Sequence, residues 1–249
     1  MYKIMTAGPT QVRENVRMAR SMETTNPDLD VAFCEFYKET CDLLQELLHS
    51  SGTAYILGGE GILGLEAACA SLTEPGDRVL VLDNGIFGKG FADFVKMYGG
   101  EPVLFTSDYR KPIDVAELRA FLEKDSDFKY ATVVHCDTPS GVINDVSVIC
   151  PMLAEFGILS VVDSVAGMFG EYVNVDESQI DILCGGSQKA LSAPAGLTML
   201  WVSDKAMAAM ENRKTPIAAF YANILTFKTY YEDKWFPYTM PLSDINGLR

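Results

Sequence analysis

Histidine is nearly missing from this chain: His49 and His135 are the only two, too few for a histidine-rich metal centre. The six cysteines, Cys34, Cys41, Cys69, Cys136, Cys150 and Cys184, never fall at C-x-x-C spacing and mostly lie inside apolar runs. That pattern excludes a disulfide framework or cysteine zinc site and reads as buried thiols. Positive charge is also scarce, with 20 Lys and Arg against 34 Asp and Glu, a formal net charge of −14. Such a chain repels a phosphate backbone, and no basic stripe offsets the repulsion, so nucleic acid is not an expected partner. No apolar run approaches the roughly 18 residues that span a bilayer, and the opening MYKIMTAGPTQV lacks the apolar stretch of a signal peptide. The expectation is a cytoplasmic protein without a membrane partner. Internal repeats and low-complexity linkers are absent too.

Apolar, β-branched runs alternate with longer amphipathic stretches. Strands are expected at 53–57, 78–82, 102–106, 130–135, 158–163, 180–184 and 198–202. Helical patterns fall at 33–49, 62–72, 114–123, 204–213 and 216–231, the third opening with Asp114 and Glu117 at capping-box spacing. This alternation implies an α/β fold, a mainly parallel seven-stranded sheet with helices on both faces, whose ligands bind beyond the carboxyl ends of the strands. Residues 1–23 read as an irregular N-terminal arm or strap, and 24–249 as one large domain.

Gly59-Glu60-Gly61-Ile62-Leu63-Gly64 is a literal G-x-G-x-x-G between a strand and a helix, and Asp83 ends the next strand about 20 residues on. One reading is therefore a nicotinamide-dependent oxidoreductase. The physics is broader: a glycine turn feeding a helix N-terminus offers free N–H groups to any phosphate. Glu60 points the other way, because a carboxylate beside an anion site must turn outward or be neutralised.

The stretch GGSQKALSAPAG, residues 185–196, sets a single lysine among small residues directly after an apolar run. Lys189 has no charged neighbour for several positions on either side, unlike a solvated lysine on a helix face. Asp163 closes another apolar run, ILSVVD, which in a parallel sheet places its carboxylate at the ligand end, close to where the strand before Gly185 also ends. An amine, an acid and an N–H-rich helix end are the parts that pyridoxal 5'-phosphate requires, for a Schiff base, a protonated pyridine nitrogen and a phosphate respectively.

The elements DNGIFG, VVDSVAGMFG and DILCGGSQKALSAPAG, in this order and spacing, resemble the class V aminotransferases of fold type I, specifically the alanine–glyoxylate and serine–pyruvate group. The resemblance runs from GPTQV at 8–12 to the PYTMP loop at 237–241. It implies transamination between a small amino acid (alanine or serine) and a 2-oxo acid (glyoxylate or pyruvate). Lys189 would carry pyridoxal phosphate as a Schiff base and Asp163 would pair with the ring nitrogen. Gln188 and the backbone at Gly61 and Ile62 would contact the phosphate, Phe87 would stack on the ring, and Thr138 would border its O3 side. Thr239 matches a residue that reaches the cofactor of a neighbouring subunit, which implies a homodimer.

Three departures accompany the resemblance. Glu60 replaces a small residue of the phosphate loop, and Phe236 stands where a tyrosine usually contacts the phosphate. The family also continues into a small C-terminal domain with a carboxylate-binding arginine, and this domain is expected to be absent from the chain. A cofactor-binding but catalytically silent chain is therefore a third reading beside the transaminase and the oxidoreductase.

Overall fold

The computed structural model describes residues 2–249. Nine strands follow in chain order: β1 (Thr53–Gly58), β2 (Arg78–Asp83), β3 (Glu101–Thr106), β4 (Tyr130–Val134), β5 (Cys136–Asp137), β6 (Val142–Ile143), β7 (Leu159–Asp163), β8 (Ile182–Gly186) and β9 (Leu197–Val202). Seven of them form one sheet in the order β1-β9-β8-β7-β4-β2-β3, and β5 with β6 makes a small hairpin. All seven expected sheet strands are present. The inner strands β4 (YATVV), β7 (LSVVD) and β8 (ILCGG) are almost wholly buried, as their non-alternating, largely apolar or small residues suit a sheet covered on both faces. Pro102 falls in β3, which pairs only with β2 and so lies at an edge that tolerates a missing N–H. Strand β9 runs antiparallel to both β1 and β8, while the other pairings of the sheet are parallel.

The helices are α1 (Glu14–Arg20), α2 (Val31–Leu47), α3 (Gly61–Leu72), α4 (Ile86–Met97), α5 (Val115–Leu122), α6 (Val146–Glu155), α7 (Asp204–Glu211), α8 (Tyr230–Asp233) and α9 (Leu242–Leu248). Several start where sequence places an acidic or hydroxyl cap: Asp30 accepts from the Ala32 amide, Asp114 from Ala116 and Glu117, and Ser203 from Ala206. The N-terminal arm is not irregular throughout. Its α1 packs on α9, with Arg20 paired to Asp244 at 2.8 Å through Nε, and Gly247 has no side chain to obstruct the Arg20 stem. The expected helix over 216–231 is broken into a 3-10 turn at Ile224–Phe227 and the short α8, because Asn223 caps the Leu225 amide and starts a new turn. Among the described residues no helix is long and apolar enough to cross a membrane. All six cysteines are free thiols, five of them buried.

The strand order overturns the dinucleotide reading. That fingerprint needs β1 and β2 side by side, so that the acid ending the second faces the glycine turn after the first. Here β9, β8, β7 and β4 intervene. Asp83 is itself buried and consumed, accepting hydrogen bonds from Tyr109 Oη at 2.7 Å and Thr106 Oγ1 at 3.2 Å.

Arg213, just beyond α7, inserts its guanidinium at the carboxyl end of α3 and donates to the Thr73 and Ser71 carbonyls at 2.6 and 3.1 Å. It satisfies helix-end carbonyls where a cation is also favoured by the helix dipole. Arg213→Ala is expected to lower stability by about 1–3 kcal/mol, since charge-assisted hydrogen bonds are lost and carbonyls orphaned. Urea denaturation checks this, and a change within error would show that water replaces the guanidinium freely.

Candidate active site

The connection between β8 and β9 carries Lys189. Ser187 ties it: its N–H donates to the Leu197 carbonyl at 3.1 Å, its hydroxyl donates to the Pro194 carbonyl at 2.6 Å, and its carbonyl accepts from Ala193 at 3.0 Å. The N-terminal strap pins the loop from outside. Thr10 donates its amide to the Gln188 carbonyl at 2.9 Å and its hydroxyl to the Lys189 carbonyl at 2.7 Å. Gly8 lies directly on the lysine side chain, where a Cβ would collide with Cδ and come within 2.7 Å of Nζ. The strap therefore limits the directions in which the Lys189 amine can point.

Asp163 ends β7, which runs parallel to β8 in a register that pairs Asp163 with Cys184. Two adjacent strands thus deliver the carboxylate and the lysine loop to the same end of the sheet. Asp163 is 6% exposed and accepts the Val165 amide at 2.9 Å. Burial pushes its carboxyl up to about 6, against the lowering effects of that hydrogen bond and of Lys189, and the charges of Glu60 and Asp137 push it further the same way. Behind it, buried His135 shares a 2.9 Å hydrogen bond through Nδ1 with Ser164, and burial lowers its pKa.

Lys189 and Asp163 line one cleft of about 470 Å³, open to solvent and in the size range of small-ligand sites. Phe87, in the first turn of α4 and 40% exposed, presents its ring there, and Thr138 enters from the turn between β5 and β6. Glu60 and Ile62 bring the amino end of α3 to the same cleft. Gly61 is needed beside them because a Cβ would approach the Val165 side chain to 2.8 Å. Sequence reasoning missed Leu65 on α3 as a lining residue, and also Cys136, Val165 and Ala166, with Asp137 as a neighbouring charge. Cys136, Asp137, Val165 and Ala166 adjoin residues singled out in HCDTPSG and VVDSVAG, so their positions carried the signal although their side chains do not announce it.

At the α3 end Glu60 is the N-cap. Its carboxylate accepts the Ile62 amide at 3.0 Å and a hydrogen bond from Gln188 Nε2. Of the three groups expected to contact a phosphate, Gly61, Ile62 and Gln188, two, the Ile62 amide and Gln188 Nε2, are thus turned to Glu60. Thr239 lies outside its own chain's cleft and donates to Asp28 at 2.8 Å. Phe236 is 5% exposed inside an aromatic cluster with Phe33, Tyr37 and Tyr230, at centroid distances of 5.2, 4.9 and 5.2 Å. A phenyl ring there is explained by packing and does not face the Lys189 cleft.

The ring of pyridoxal phosphate fits these residues: an amine, a buried carboxylate, an aromatic face and a hydroxyl converge on one cleft. Its phosphate would meet the Glu60 carboxylate at the α3 terminus, which already takes the Ile62 amide and Gln188 Nε2.

A family model described as Aminotransferase class-V matches residues 20–227. The chain is 36% identical over 245 residues to a pyridoxamine–pyruvate transaminase of Mesorhizobium japonicum, covering 98% of this chain and 62% of that protein. It is 28% identical over 249 residues to an L-aspartate–glyoxylate aminotransferase of Paracoccus denitrificans, covering 98% and 62%. The crystal structure of an alanine–glyoxylate aminotransferase from Nostoc sp. superposes with a TM-score of 0.94 at 25% identity, covering 98% of this chain and 65% of that one. The chain therefore spans less than two thirds of the length of these relatives.

Proposed function

The chain belongs to the class-V aminotransferases, and from that premise we propose that it transfers an amino group between a small amino acid, alanine or serine, and a 2-oxo acid, glyoxylate or pyruvate. The observation that carries this reading is the delivery of Lys189 and Asp163 by adjacent parallel strands to one cleft with an exposed aromatic face. The relatives named above differ in amino donor and share a 2-oxo acid acceptor, which supports the same reaction class. No comparable feature supports hydride transfer.

Each residue has a definite task in such a transfer. Asp163, held out of water at a strand end, is placed to keep a pyridine nitrogen protonated, so that the ring withdraws electrons from the reacting carbon. Lys189 would supply the primary amine that holds an aldehyde cofactor and would carry a proton to and from the reacting carbon. Phe87 gives the ring a face to lie on, and Thr138 a hydroxyl at its edge. Glu60 holds two of the groups expected to contact the phosphate of the family's usual cofactor, so no step is assigned to that phosphate.

The protein acts as a cytoplasmic homodimer in this reading. Thr239, exposed beside the apolar side chains Tyr221 and Trp235, is suited to enter the cleft of a second copy. Sedimentation equilibrium tests this, and a monomer at all concentrations would refute it for this chain. The chemistry is tested by incubation with pyridoxal or its phosphate, borohydride reduction and peptide mass mapping. The expected result is a reduced adduct on Lys189, and its absence with both aldehydes would sink the transaminase and the silent-binder readings together.

A further inference from the structure

Phe87 and Thr138, which give a ring its face and its edge, stand on different loops of the cleft. Phe87 follows the Asn84-Gly85 turn that leads from β2 into α4, and Thr138 lies in the turn of the β5–β6 hairpin. The start of α4 has no side-chain cap of its own, because its N-cap is Gly85. What ties it down lies one residue earlier. Asn84 Nδ2 donates to Asn144 Oδ1 at 3.0 Å, and Asn144 Nδ2 donates to Asn84 Oδ1 at 3.1 Å. The two residues are 60 positions apart, and both are wholly buried.

Asn144 uses every hydrogen-bonding site of its amide. Its second N–H goes to the Val134 carbonyl at 2.7 Å, and its oxygen also accepts the Ile113 amide at 2.9 Å. Asn84 gives its remaining N–H to the Lys111 carbonyl at 3.4 Å. The pair thus gathers the turn into α4, the loop between β3 and α5 and the base of the hairpin. Neither amide can turn over without setting donor against donor and acceptor against acceptor, so the arrangement is single-valued. The hairpin above it is closed as well, since Asp137 Oδ2 accepts from the Ser140 amide at 3.1 Å and its hydroxyl at 2.7 Å. Gly85 rests on that same carboxylate, where a Cβ would lie 2.7 Å from Cγ. This contact brings no hydrogen bond, as Asp137 Oδ1 has no partner among the described residues. The amide pair is the hydrogen-bonded link between turn and hairpin.

Resting on the ring-binding reading argued above, we infer that the buried Asn84–Asn144 amide pair is a positioning element of the site, one that sets the gap between the Phe87 face and the Thr138 hydroxyl before a ring arrives. Neither asparagine lines the cleft, so any effect on a ligand passes through the side chains they place. Phe87 lies three residues after Asn84, in the first turn of α4, and a shift of that turn moves the ring face directly. Asn144 closes the base of the hairpin, with its own N–H on the His135 carbonyl at 2.8 Å, and a shift there moves Thr138. A merely structural pair would act differently: its loss would lower stability without regard to which side chains the cleft presents.

The test is a double-mutant cycle read by spectral titration with pyridoxal 5'-phosphate, with borohydride reduction to identify the Lys189 adduct and urea denaturation of each variant in parallel. Asn84→Ala is expected to weaken binding by about three- to tenfold, the range that aromatic stacking supplies. In a Phe87→Ala/Thr138→Ala background the same change should cost less than about twofold, because the groups that the pair places are gone. The urea midpoint should fall equally in both backgrounds. Asn84→Asp keeps the shape but sets an oxygen against Asn144 Oδ1 and the Lys111 carbonyl; it is expected to repeat the pattern, and it carries the cycle if the alanine variant does not fold. An equal loss of affinity in the two backgrounds overturns the inference and leaves the pair a structural support. So would Asn84 variants that bind as tightly as wild type. Absence of any Lys189 adduct in the wild-type chain refutes the ring-binding reading itself, a failure seen before any variant is compared.

Discussion

Lys189→Ala abolishes covalent capture of pyridoxal, and any residual exchange between the bound ring and alanine slows by about 10²–10⁴-fold, the usual contribution of a positioned proton-transfer group. The loss is chemical, because the loop does not depend on this side chain. Its anchors to the strap are the Thr10 hydrogen bonds to the backbone carbonyls of Gln188 and Lys189, and Ser187 holds the rest. The variant should therefore melt within a few degrees of wild type while giving no reduced adduct at this position. Lys189→Arg serves as a companion, since it keeps the charge but cannot form a Schiff base under these conditions. An adduct of unchanged yield in either variant would assign the reactive amine to another lysine.

Asp163→Asn is expected to stabilise the ligand-free protein at pH 8 and to weaken its hold on the ring. The wild-type carboxyl titrates near 6 in the fold, against 3.8 for an ordinary aspartate, and burial is the main cause. Between those values the folded protein holds a proton that the unfolded chain has released. Stability from this group is full below about pH 4 and declines as pH rises through 6, with a total loss of about 3 kcal/mol above it. Asparagine never ionises, keeps nearly the same shape and can still accept the Val165 amide. Urea denaturation should show the variant more stable by about 3 kcal/mol at pH 8, with the gap falling to about 1 kcal/mol or less near pH 4. The same change removes the charge that holds a pyridinium, so pyridoxal binding and the rate of half-transamination should both fall steeply. A variant less stable than wild type at pH 8 would show that Asp163 is compensated by interactions not visible in the isolated fold. Unchanged ring binding would reduce it to a structural residue.

Strand existence and fold class were legible in the chain because hydrophobic period is a local property. The runs RVLVLD, YATVV and LSVVD can be buried on both faces only inside a covered sheet. The isolation of Lys189 among small residues and the placing of Asp163 at the end of an apolar run were equally readable, since both are contrasts between a residue and its sequence neighbours. The helix expected over 216–231 is broken where Asn223 caps Leu225 and where the Ile224 amide is drawn to Ser71 Oγ at 3.1 Å, a partner 153 positions away that local pattern does not reveal.

Strand order was beyond reach of the pattern. GEGILG and Asp83 satisfy a dinucleotide spacing along the chain, and only the insertion of four strands between β1 and β2 dissolves it, because pairing partners are chosen by long-range burial rather than by adjacency in sequence. The direction of Glu60 was open in the same way. From sequence a carboxylate in a phosphate loop is an anomaly with two outcomes, outward or neutralised. The fold brings Gln188, 128 positions away, within hydrogen-bond reach and makes Glu60 the cap of the helix it begins. Sequence alone determined which chemical groups this protein carries and on which kind of element each sits. The tertiary structure decided which of them share a cleft and which donors remain free within it, because hydrogen-bond partners and local charge are set by distances that exist only once the sheet has closed.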